Sequence, residues 1–264
     1  MKYIRIFLLY FQQAFVYRGR SVVWFFISLF NPLILLLFWY AALTGGKTTV
    51  SWSLSDVTAY YVLLIISASF LDIHIEETVA VYDISEGGLN AYLVKPISYA
   101  LVKLCNELPY RLLQGSFGII VFCIIRFGLG ISFSLVNGIF EIITTVCMIL
   151  CAFCVSFLFK MIVGLSAFWT TDYTGLAEMT GVLILLFGGF VIPLEFFPSF
   201  WHTVATYTPF PYGTYFPVLA VEGRLALGEM WRIIGIQLGW IFILGVTYRW
   251  MWKRGVRLYT GVGI

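Results

Sequence analysis

Three cysteines at helical spacing are the first side chains that could do chemistry. Cys147, Cys151 and Cys154 recur at positions i, i+4 and i+7, so they share one face of a helix. Thiolates on one face could bind copper(I), and Cys151 with Cys154 could form a C-x-x-C redox pair. The sequence places no cation nearby, and a thiol without an activating environment is inert. We therefore predict that these cysteines pack as small apolar side chains between helices.

A second group, Asp72, His74, Glu76 and Glu77, contains side-chain types that bind metals. On a helix with 3.6 residues per turn, His74 and Glu76 would point about 200° apart. Only Asp72 with Glu76, or His74 with Glu77, would then share a face. Polar residues at a helix end that leaves a membrane explain the same group. We interpret it in that way and predict no metal site.

Residues 41–48 read AALTGGKT and nearly match the phosphate-binding loop G-x-x-x-x-G-K-[ST]. That loop needs a glycine at the position of Ala41 and a preceding β-strand, whereas a predicted membrane helix precedes this segment. The sequence also contains no H-E-x-x-H or G-x-S-x-G motif. We predict no catalytic residue and no cofactor held by this chain, which therefore cannot hydrolyse ATP unaided.

Three carboxylates, Glu141, Asp172 and Glu178, fall in or near long apolar stretches. An ionisable group at membrane depth is costly to desolvate, so it marks a functional site by default. Glu178 is the deepest of the three by this reasoning. It could belong to a transport path with Phe187 and Phe190, or it could pair with another polar group and lock helices together.

The composition indicates which elements must position these side chains. Of the 264 residues, 61% are hydrophobic and 11% are charged, and the mean hydropathy is +0.95. Soluble domains have about 25% charged residues, so a bilayer must surround most of this chain. A spanning helix needs about 20 apolar residues. The sequence therefore predicts a single all-α membrane domain, 1–264, with about six spans, at about 21–43, 56–79, 108–129, 133–159, 171–192 and 230–252.

Three segments outside the spans have their own pattern. Residues 1–20 predict an amphipathic helix in the membrane interface, because Ile4, Phe7 and Phe11 recur at helical spacing. Residues 193–229 are too rich in proline for one continuous span and too apolar for a free loop. Residues 81–107 are too long for a minimal turn between helices, and we predict that they have a second task.

The segment 81–107 predicts two short helices. Gly87-Gly88 allows a sharp reversal of the backbone, and Pro96 ends a first helix at or before Lys95. That helix would present an apolar stripe formed by Leu89, Tyr92 and Leu93. Ser98 can cap a second helix, which leads back to the membrane. The stripe could dock on a partner protein or rest in the membrane interface.

The placement of Lys and Arg predicts the orientation. All of the 16 basic residues except four, Lys47, Arg126, Arg224 and Arg232, fall on one side of the predicted spans. Cytoplasmic loops carry the excess of Lys and Arg. We therefore expect both termini in the cytoplasm and residues 193–229 at the outer face. The net charge of +3 gives no indication of a nucleic-acid partner.

The order of these segments resembles a known family, the ABC type-2 transporter permeases, over nearly the whole chain. The resemblance lies in the early amphipathic helix and in three later stretches. These are ISEGGLNAYLVKPIS at 84–98, GGFVIPLEFFP at 188–198 and RGVRLYTGVG at 254–263.

The resemblance implies a six-helix permease of the cell membrane that pairs with a second permease, identical or sister. Two cytoplasmic ATPase subunits, which bind ATP and Mg²⁺, would complete the transporter. It also implies a segment that couples to the ATPase and a re-entrant outer gate between the fifth and sixth spans. The implied coupling residues are Glu86, Gly87, Gly88, Leu89, Tyr92, Leu93, Lys95 and Pro96. The implied gate residues are Pro193, Glu195, Phe196, Phe197 and Pro198.

The expected function is outward movement of a hydrophobic or amphipathic substrate by alternating access, driven by the separate ATPase. One alternative is a secondary transporter driven by an ion gradient through Glu178 or Asp172. That class usually has internal repeats and paired broken spans, and the sequence shows neither clearly. Another alternative is a membrane scaffold or assembly factor that transports nothing. Only the first interpretation predicts an ATPase that co-purifies with the chain.

Overall fold

The computed structural model describes residues 2–44, 52–128, 134–170 and 173–260, and these ranges confirm the predicted all-α class. The helices are α1 (Lys2–Val16), α2 (Arg18–Thr44), α3 (Leu54–Leu71), α4 (Asn90–Leu93), α5 (Tyr99–Cys123), α6 (Ile139–Leu165), α7 (Thr174–Phe187), α8 (Ser199–Thr206), α9 (Phe210–Gly213), α10 (Tyr215–Glu222) and α11 (Leu227–Leu258). Two π-helical stretches cover Thr78–Ser85 and Ile124–Gly128, and two 3₁₀ turns cover Ser166–Phe168 and Leu194–Phe196.

Four of the described helices are long and apolar enough to cross a membrane. They cover Leu54–Leu71, Tyr99–Phe127, Ile139–Phe168 and Leu227–Leu258. Two shorter apolar helical stretches are Leu33–Ala42 within α2 and α7 itself. The chain is therefore a multi-pass membrane protein, as its composition predicts.

The helix bounds differ from the predicted spans where polar residues are paired inside the protein. The second span was predicted to reach residue 79, but α3 ends at Leu71 because Asp72 has an extended backbone. The third span was predicted to begin near residue 108, but α5 begins at Tyr99. Hydropathy locates the apolar part of a helix, whereas α5 continues through charged residues that have partners.

The described bundle has two ends, named here after the carboxylates that mark them. Helices α3, α6 and α11 run from the Asp56 end to the Glu76 end. Helix α5 packs antiparallel to α3, with Gly118 closely approaching Ile66. Helices α6 and α11 run parallel and share the longest contact, and the Gln237 side chain of α11 donates a hydrogen bond of 3.2 Å to the Met148 carbonyl of α6.

The segment between α7 and α11 folds back against α3 as the short helices α8, α9 and α10. Leu194, Val218 and Leu219 are buried in one core with Tyr60 and Tyr61 of α3. Backbone carbonyls without a helical partner are costly in an apolar medium. The Tyr60 hydroxyl donates to the Gly189 carbonyl at 2.7 Å, and the Tyr61 hydroxyl donates to a second such carbonyl, that of residue 191, at 2.7 Å.

A close approach at Gly164 gives a first test of this packing. A Cβ atom at Gly164 would lie 2.7 Å from the Cβ of Val79 and 2.9 Å from the Glu76 carbonyl oxygen. We expect Gly164→Ala to lower the free energy of unfolding by about 1–3 kcal/mol, since overpacking forces the backbones apart. A Cβ atom at Gly239 of α11 would meet nothing within 4 Å, so Gly239→Ala is the matched control. Thermal unfolding in detergent compares the two, and equal melting temperatures would contradict the close packing.

Candidate functional site

The segment that connects α3 to α5, residues 76–98, is a folded element at the Glu76 end. Gly87 has φ 84°, a conformation that favours glycine, and it turns the chain out of the π-helical stretch. A Cβ atom at Gly88 would lie 2.6 Å from the Tyr82 carbonyl oxygen. Helix α4 follows and ends at Leu93, before Pro96 as predicted. We call residues 76–98 the connecting segment.

The predicted apolar stripe of the connecting segment is divided between its two sides. Leu89 is 0% exposed and packs in the core of the Glu76 end. Tyr92 is half-buried, whereas Leu93 is 42% and Val94 80% exposed. The exposed tip of α4 is therefore Leu93 with Val94, and Leu89 anchors the segment from inside.

A buried ion pair holds the connecting segment on α5. The Lys103 ammonium lies 2.5 Å from the Asp83 carboxylate, and both side chains are less than 10% exposed. The Tyr99 hydroxyl donates to the same carboxylate, and Lys103 lies 5.0 Å from the centre of the Tyr92 ring. Buried charges persist only where they are paired and hydrogen-bonded. This pair therefore fixes the position of α4 relative to α5.

The contacts around the Asp83–Lys103 pair extend to two more helices, α11 and α1. The Tyr99 ring stacks on Trp252 of α11, with ring centres 4.6 Å apart. Tyr10 of α1 lies beside Tyr92, and burial raises the pKa of Tyr10 to about 12. In α1, the Lys2 ammonium donates to the Pro96 carbonyl.

Two further ionic contacts lie at the Glu76 end, and the first of them joins two elements. The Lys160 ammonium of α6 lies 2.6 Å from the Glu76 carboxylate, and both are buried. Within α5, Arg111 pairs with Glu107 at 2.6 Å and donates to Gln114 at 2.8 Å. The prediction that these polar residues emerge from the membrane at a helix end is therefore wrong for Glu76, because this carboxylate is buried and paired inside the protein.

The remaining implied coupling residues lie at the surface of the connecting segment. Glu86, Gly88, Lys95 and Pro96 are exposed, and Gly87 is half-buried. Ser98 stands at the N-terminus of α5 as predicted, but its side chain makes no capping hydrogen bond. Its backbone N–H donates instead to the Tyr3 hydroxyl of α1 at 2.9 Å.

The implied gate residues lie at the Asp56 end. Pro193 is buried, Phe196 and Phe197 are half-buried, and Glu195 and Pro198 are exposed. Phe196 packs edge-on against Trp52, with ring centres 5.2 Å apart. The Trp52 indole N–H donates to the Glu195 carboxylate at 2.6 Å.

One arginine organises the charges around these gate residues. The Arg224 guanidinium lies 4.0 Å from the centre of the Trp52 ring. It pairs with Asp56 of α3 at 2.9 Å and with the buried Glu222 of α10 at 2.8 Å. These contacts tie the short helices to the start of α3.

Two of the three proposed transport-path residues lie near this region. Phe187 packs against Phe197, with ring centres 6.4 Å apart. Phe190 is buried and lines a small cavity between α3, α6, α7 and α9. About 30 Å³ of the cavity is accessible to water, which is space for a water or two. Its polar lining comes from Asp72, Ser156, Lys160 and Thr214.

Glu178 lies apart from this cavity. It is exposed on α7, a helix whose one buried residue among those described is Thr180. Asp172, the alternative carboxylate, lies outside the described residues, as do the lysine and both glycines of the near match at 41–48. Glu141 is half-buried in the first turn of α6.

The three cysteines lie along the surface of α6. Cys147 and Cys154 are exposed. Cys151 is half-buried and packs against a core that contains Met230 and Ile233 of α11, so Cys151 makes the predicted contact between helices. Within the described ranges, no group of three His, Cys, Asp or Glu side chains is arranged to hold a metal ion.

Sequence reasoning missed the buried ion pairs as functional features. From the sequence alone, Lys103 and Lys160 contribute only to the charge pattern that predicts the orientation. A signal was present, because a lysine inside an otherwise apolar helix must find a partner. Arg224 was likewise counted only as an outer charge, although Trp52 and Asp56 meet it in the fold.

Comparison with known proteins agrees with this architecture. The model of a family described as ABC-2 family transporter protein matches residues 29–263. No curated protein matches the chain. The family match covers the four long apolar helices, the connecting segment and the short helices of the Asp56 end. The chain belongs to the ABC-2 family of membrane transporters, whose members are typically non-catalytic permease subunits.

Proposed function

We propose that this chain is the permease of an ATP-driven exporter and that the connecting segment docks on a separate cytoplasmic ATPase. The observation that carries the proposal is the construction of that segment. It is held from inside by Leu89 and by the Asp83–Lys103 pair, yet its apolar tip, Leu93 and Val94, is exposed. A rigidly held apolar tip is suited to fill a groove on a partner protein.

The buried contacts supply a route for coupling. A displacement of α4 by the ATPase acts on α5 through Lys103 and on α6 through the Glu76–Lys160 pair. It reaches α11 through the stack of Tyr99 on Trp252. Packed interiors transmit displacement because they resist compression. The partner binds ATP and Mg²⁺, and this chain provides the contacts that transmit the movement to the spanning helices.

Six spans are part of the proposal, formed by α2, α3, α5, α6, α7 and α11. Helix α2 has 27 residues and extends about 40 Å at 1.5 Å per residue, enough for a bilayer core of about 30 Å. Helix α7 has 14 residues and extends only about 21 Å.

The shortness of α7 supports a re-entrant segment after it. Residues 188–222 would fill the part of the bilayer core that α7 is too short to span. The backbone carbonyls of residues 189 and 191 accept hydrogen bonds from tyrosines of α3. Such internal pairing is what non-helical backbone at membrane depth requires. We assign this segment as the outer gate, which the contacts of Arg224 with Asp56 and Glu222 hold closed.

A second permease, identical or sister, would complete the path. Helix α7 has little buried surface in the isolated chain, and it carries Glu178 on its exposed side. A carboxylate facing lipid is costly, so Glu178 requires a polar partner or an aqueous path. The contact with the second subunit can supply either.

The orientation is tested by labelling single cysteines in a variant without the native ones. Thr203 of α8 should react with an impermeant thiol reagent added outside intact cells, and Asn90 of α4 should react only after lysis. Both are exposed, so accessibility depends on the side of the membrane. Thr49, a further outer site by the same reasoning, lies outside the described residues. Labelling of Asn90 in intact cells would reverse the proposed orientation.

The partner is tested by purifying the tagged chain from its native membrane in mild detergent. The proposal expects an ATP-binding subunit to co-purify and to hydrolyse ATP. A secondary transporter or a scaffold predicts none. Purification of a permease that transports substrate in vesicles without ATP, using an ion gradient alone, would remove the exporter assignment.

A further inference from the structure

The last turns of α11 carry four basic side chains on the side that points away from the bundle. Arg249, Lys253 and Arg257 recur at i, i+4 and i+8, and Arg254 lies about one turn before Arg257. We call these four side chains the basic face. All four are exposed. The opposite face is occupied by Tyr248, Trp252 and Gly255, which pack inside the protein. The basic face therefore points away from the bundle.

These four cations have no carboxylate within ion-pair distance among the described residues. The sequence contains no Asp or Glu after Glu229. Among the described residues, Trp250 contacts this face, with its ring centre 4.8 Å from the Arg254 guanidinium. The face is thus an uncompensated concentration of positive charge.

Two tryptophans of α11 indicate the depth of the basic face in the bilayer. Trp231 and Trp250 are both exposed on α11, and the rise of 1.5 Å per residue separates them by about 28 Å. That distance matches the hydrocarbon thickness of about 30 Å, and exposed tryptophans concentrate at its two boundaries. Arg249 then lies at the hydrocarbon boundary beside Trp250, Lys253 lies in the headgroup layer about 5 Å beyond it, and Arg257 lies at the outer edge of that layer.

We propose that this face, Arg249, Lys253, Arg254 and Arg257, binds the phosphate groups of anionic phospholipids. Guanidinium groups donate paired hydrogen bonds to phosphate oxygens, and Trp250 provides an apolar surface for the adjoining glycerol and acyl chain. A soluble partner would have to enter the headgroup layer to meet Arg249. The position of the face at the boundary therefore favours a lipid as its occupant.

A lipid bound at the basic face would also affect the proposed coupling route, but the proposed lipid binding does not rest on that route. Trp252 lies on the buried side of the same turns and stacks on Tyr99. A lipid held by Arg249 and Lys253 would fix the position of α11 along the membrane normal at the turn that stacks on Tyr99 of α5. Removal of the lipid contact is expected to loosen this turn.

The test uses the full chain in mixed micelles that contain phosphatidylglycerol and phosphatidylcholine, with bound lipids counted by native mass spectrometry. The wild-type chain is expected to retain phosphatidylglycerol preferentially. The triple variant Arg249→Gln, Lys253→Gln, Arg257→Gln should lose on the order of a hundredfold in that preference, since each surface cation contributes about fivefold. The charge-conserving variant Arg249→Lys, Arg257→Lys keeps the charge but loses the paired hydrogen bonds, so it should retain part of the preference, between the wild type and the triple Gln variant. Thermal unfolding of the triple Gln variant close to the wild-type temperature shows that its loss does not come from misfolding.

The matched control removes the same charge elsewhere. Arg5, Arg18 and Lys95 are also exposed, and their triple replacement by Gln removes the same charge, but it should lower the preference clearly less than the α11 triple variant does, because these side chains are not clustered on one helix end. An equal loss in this control would overturn the proposal in favour of net charge alone. Competition by millimolar glycerol phosphate would overturn it in favour of a soluble phosphate. A triple variant with unchanged lipid preference but lost ATPase binding would reassign the face to the protein partner.

Discussion

Replacement of Lys103 by alanine is expected to destabilise the chain by about 3–5 kcal/mol, the usual cost of leaving one charge of a buried pair without its partner. Asp83 would remain buried and would keep the neutral Tyr99 hydroxyl as a donor, without the ammonium that balances its charge. The connecting segment should then detach from α5, and its residues 86–98 should become the first site of proteolysis. Thermal unfolding in detergent and limited proteolysis measure the two effects.

Two controls separate the buried pair from general sensitivity to mutation. Lys95→Ala removes an exposed lysine of the same segment and should change stability by less than about 0.5 kcal/mol. The double variant Asp83→Asn, Lys103→Met removes both charges and should recover most of the loss, because neither charge is left buried alone. If the Lys103→Ala and Lys95→Ala proteins unfold at the same temperature, the Asp83–Lys103 pair does not hold the segment.

Much of the fold could be predicted because hydropathy is a property of local sequence. The apolar stretches identified the membrane class, and Gly87-Gly88 with Pro96 located α4 correctly. The direction of Leu89 could not be predicted from spacing. The prediction offered Leu89, Tyr92 and Leu93 together to the cytoplasm, whereas Leu89 at the N-cap of α4 is buried in the core and Leu93 is exposed. Which side of a short helix packs on the bundle is decided by distant contacts.

The ion pairs could not be predicted because their partners are distant in the chain. Glu76 and Lys160 are 84 residues apart, and no local pattern connects them. Burial of Glu76 depends on the extended conformation at Asp72, where the chain leaves α3. The predicted continuous helix over residues 56–79 has no such break. The Arg224 contacts likewise depend on the return of α10 to the start of α3.

The double replacement Leu93→Asp, Val94→Asp is expected to abolish transport while the permease still folds and inserts. Both side chains are exposed, so charge at these positions costs little in the isolated chain. In a dry groove on the ATPase the same two carboxylates would be desolvated without partners, at a cost of several kcal/mol. Substrate should then no longer stimulate ATP hydrolysis.

The control places one new carboxylate at the opposite end of the bundle. Tyr207 is 79% exposed between α8 and α9, and Tyr207→Asp should leave ATPase binding unchanged. Leu89→Asp is unsuitable as a docking variant, because Leu89 is buried in this chain and its replacement would disturb the fold.

The central claim, that the exposed tip of α4 couples this permease to an ATPase, is tested most directly by one measurement. The permease and its co-purified ATPase are reconstituted in vesicles, and substrate-stimulated ATP hydrolysis is measured for the wild type, Leu93→Asp with Val94→Asp, and Tyr207→Asp. The account predicts stimulation in the wild type and in Tyr207→Asp, and none in the double variant. Undiminished stimulation in a correctly inserted double variant would contradict it.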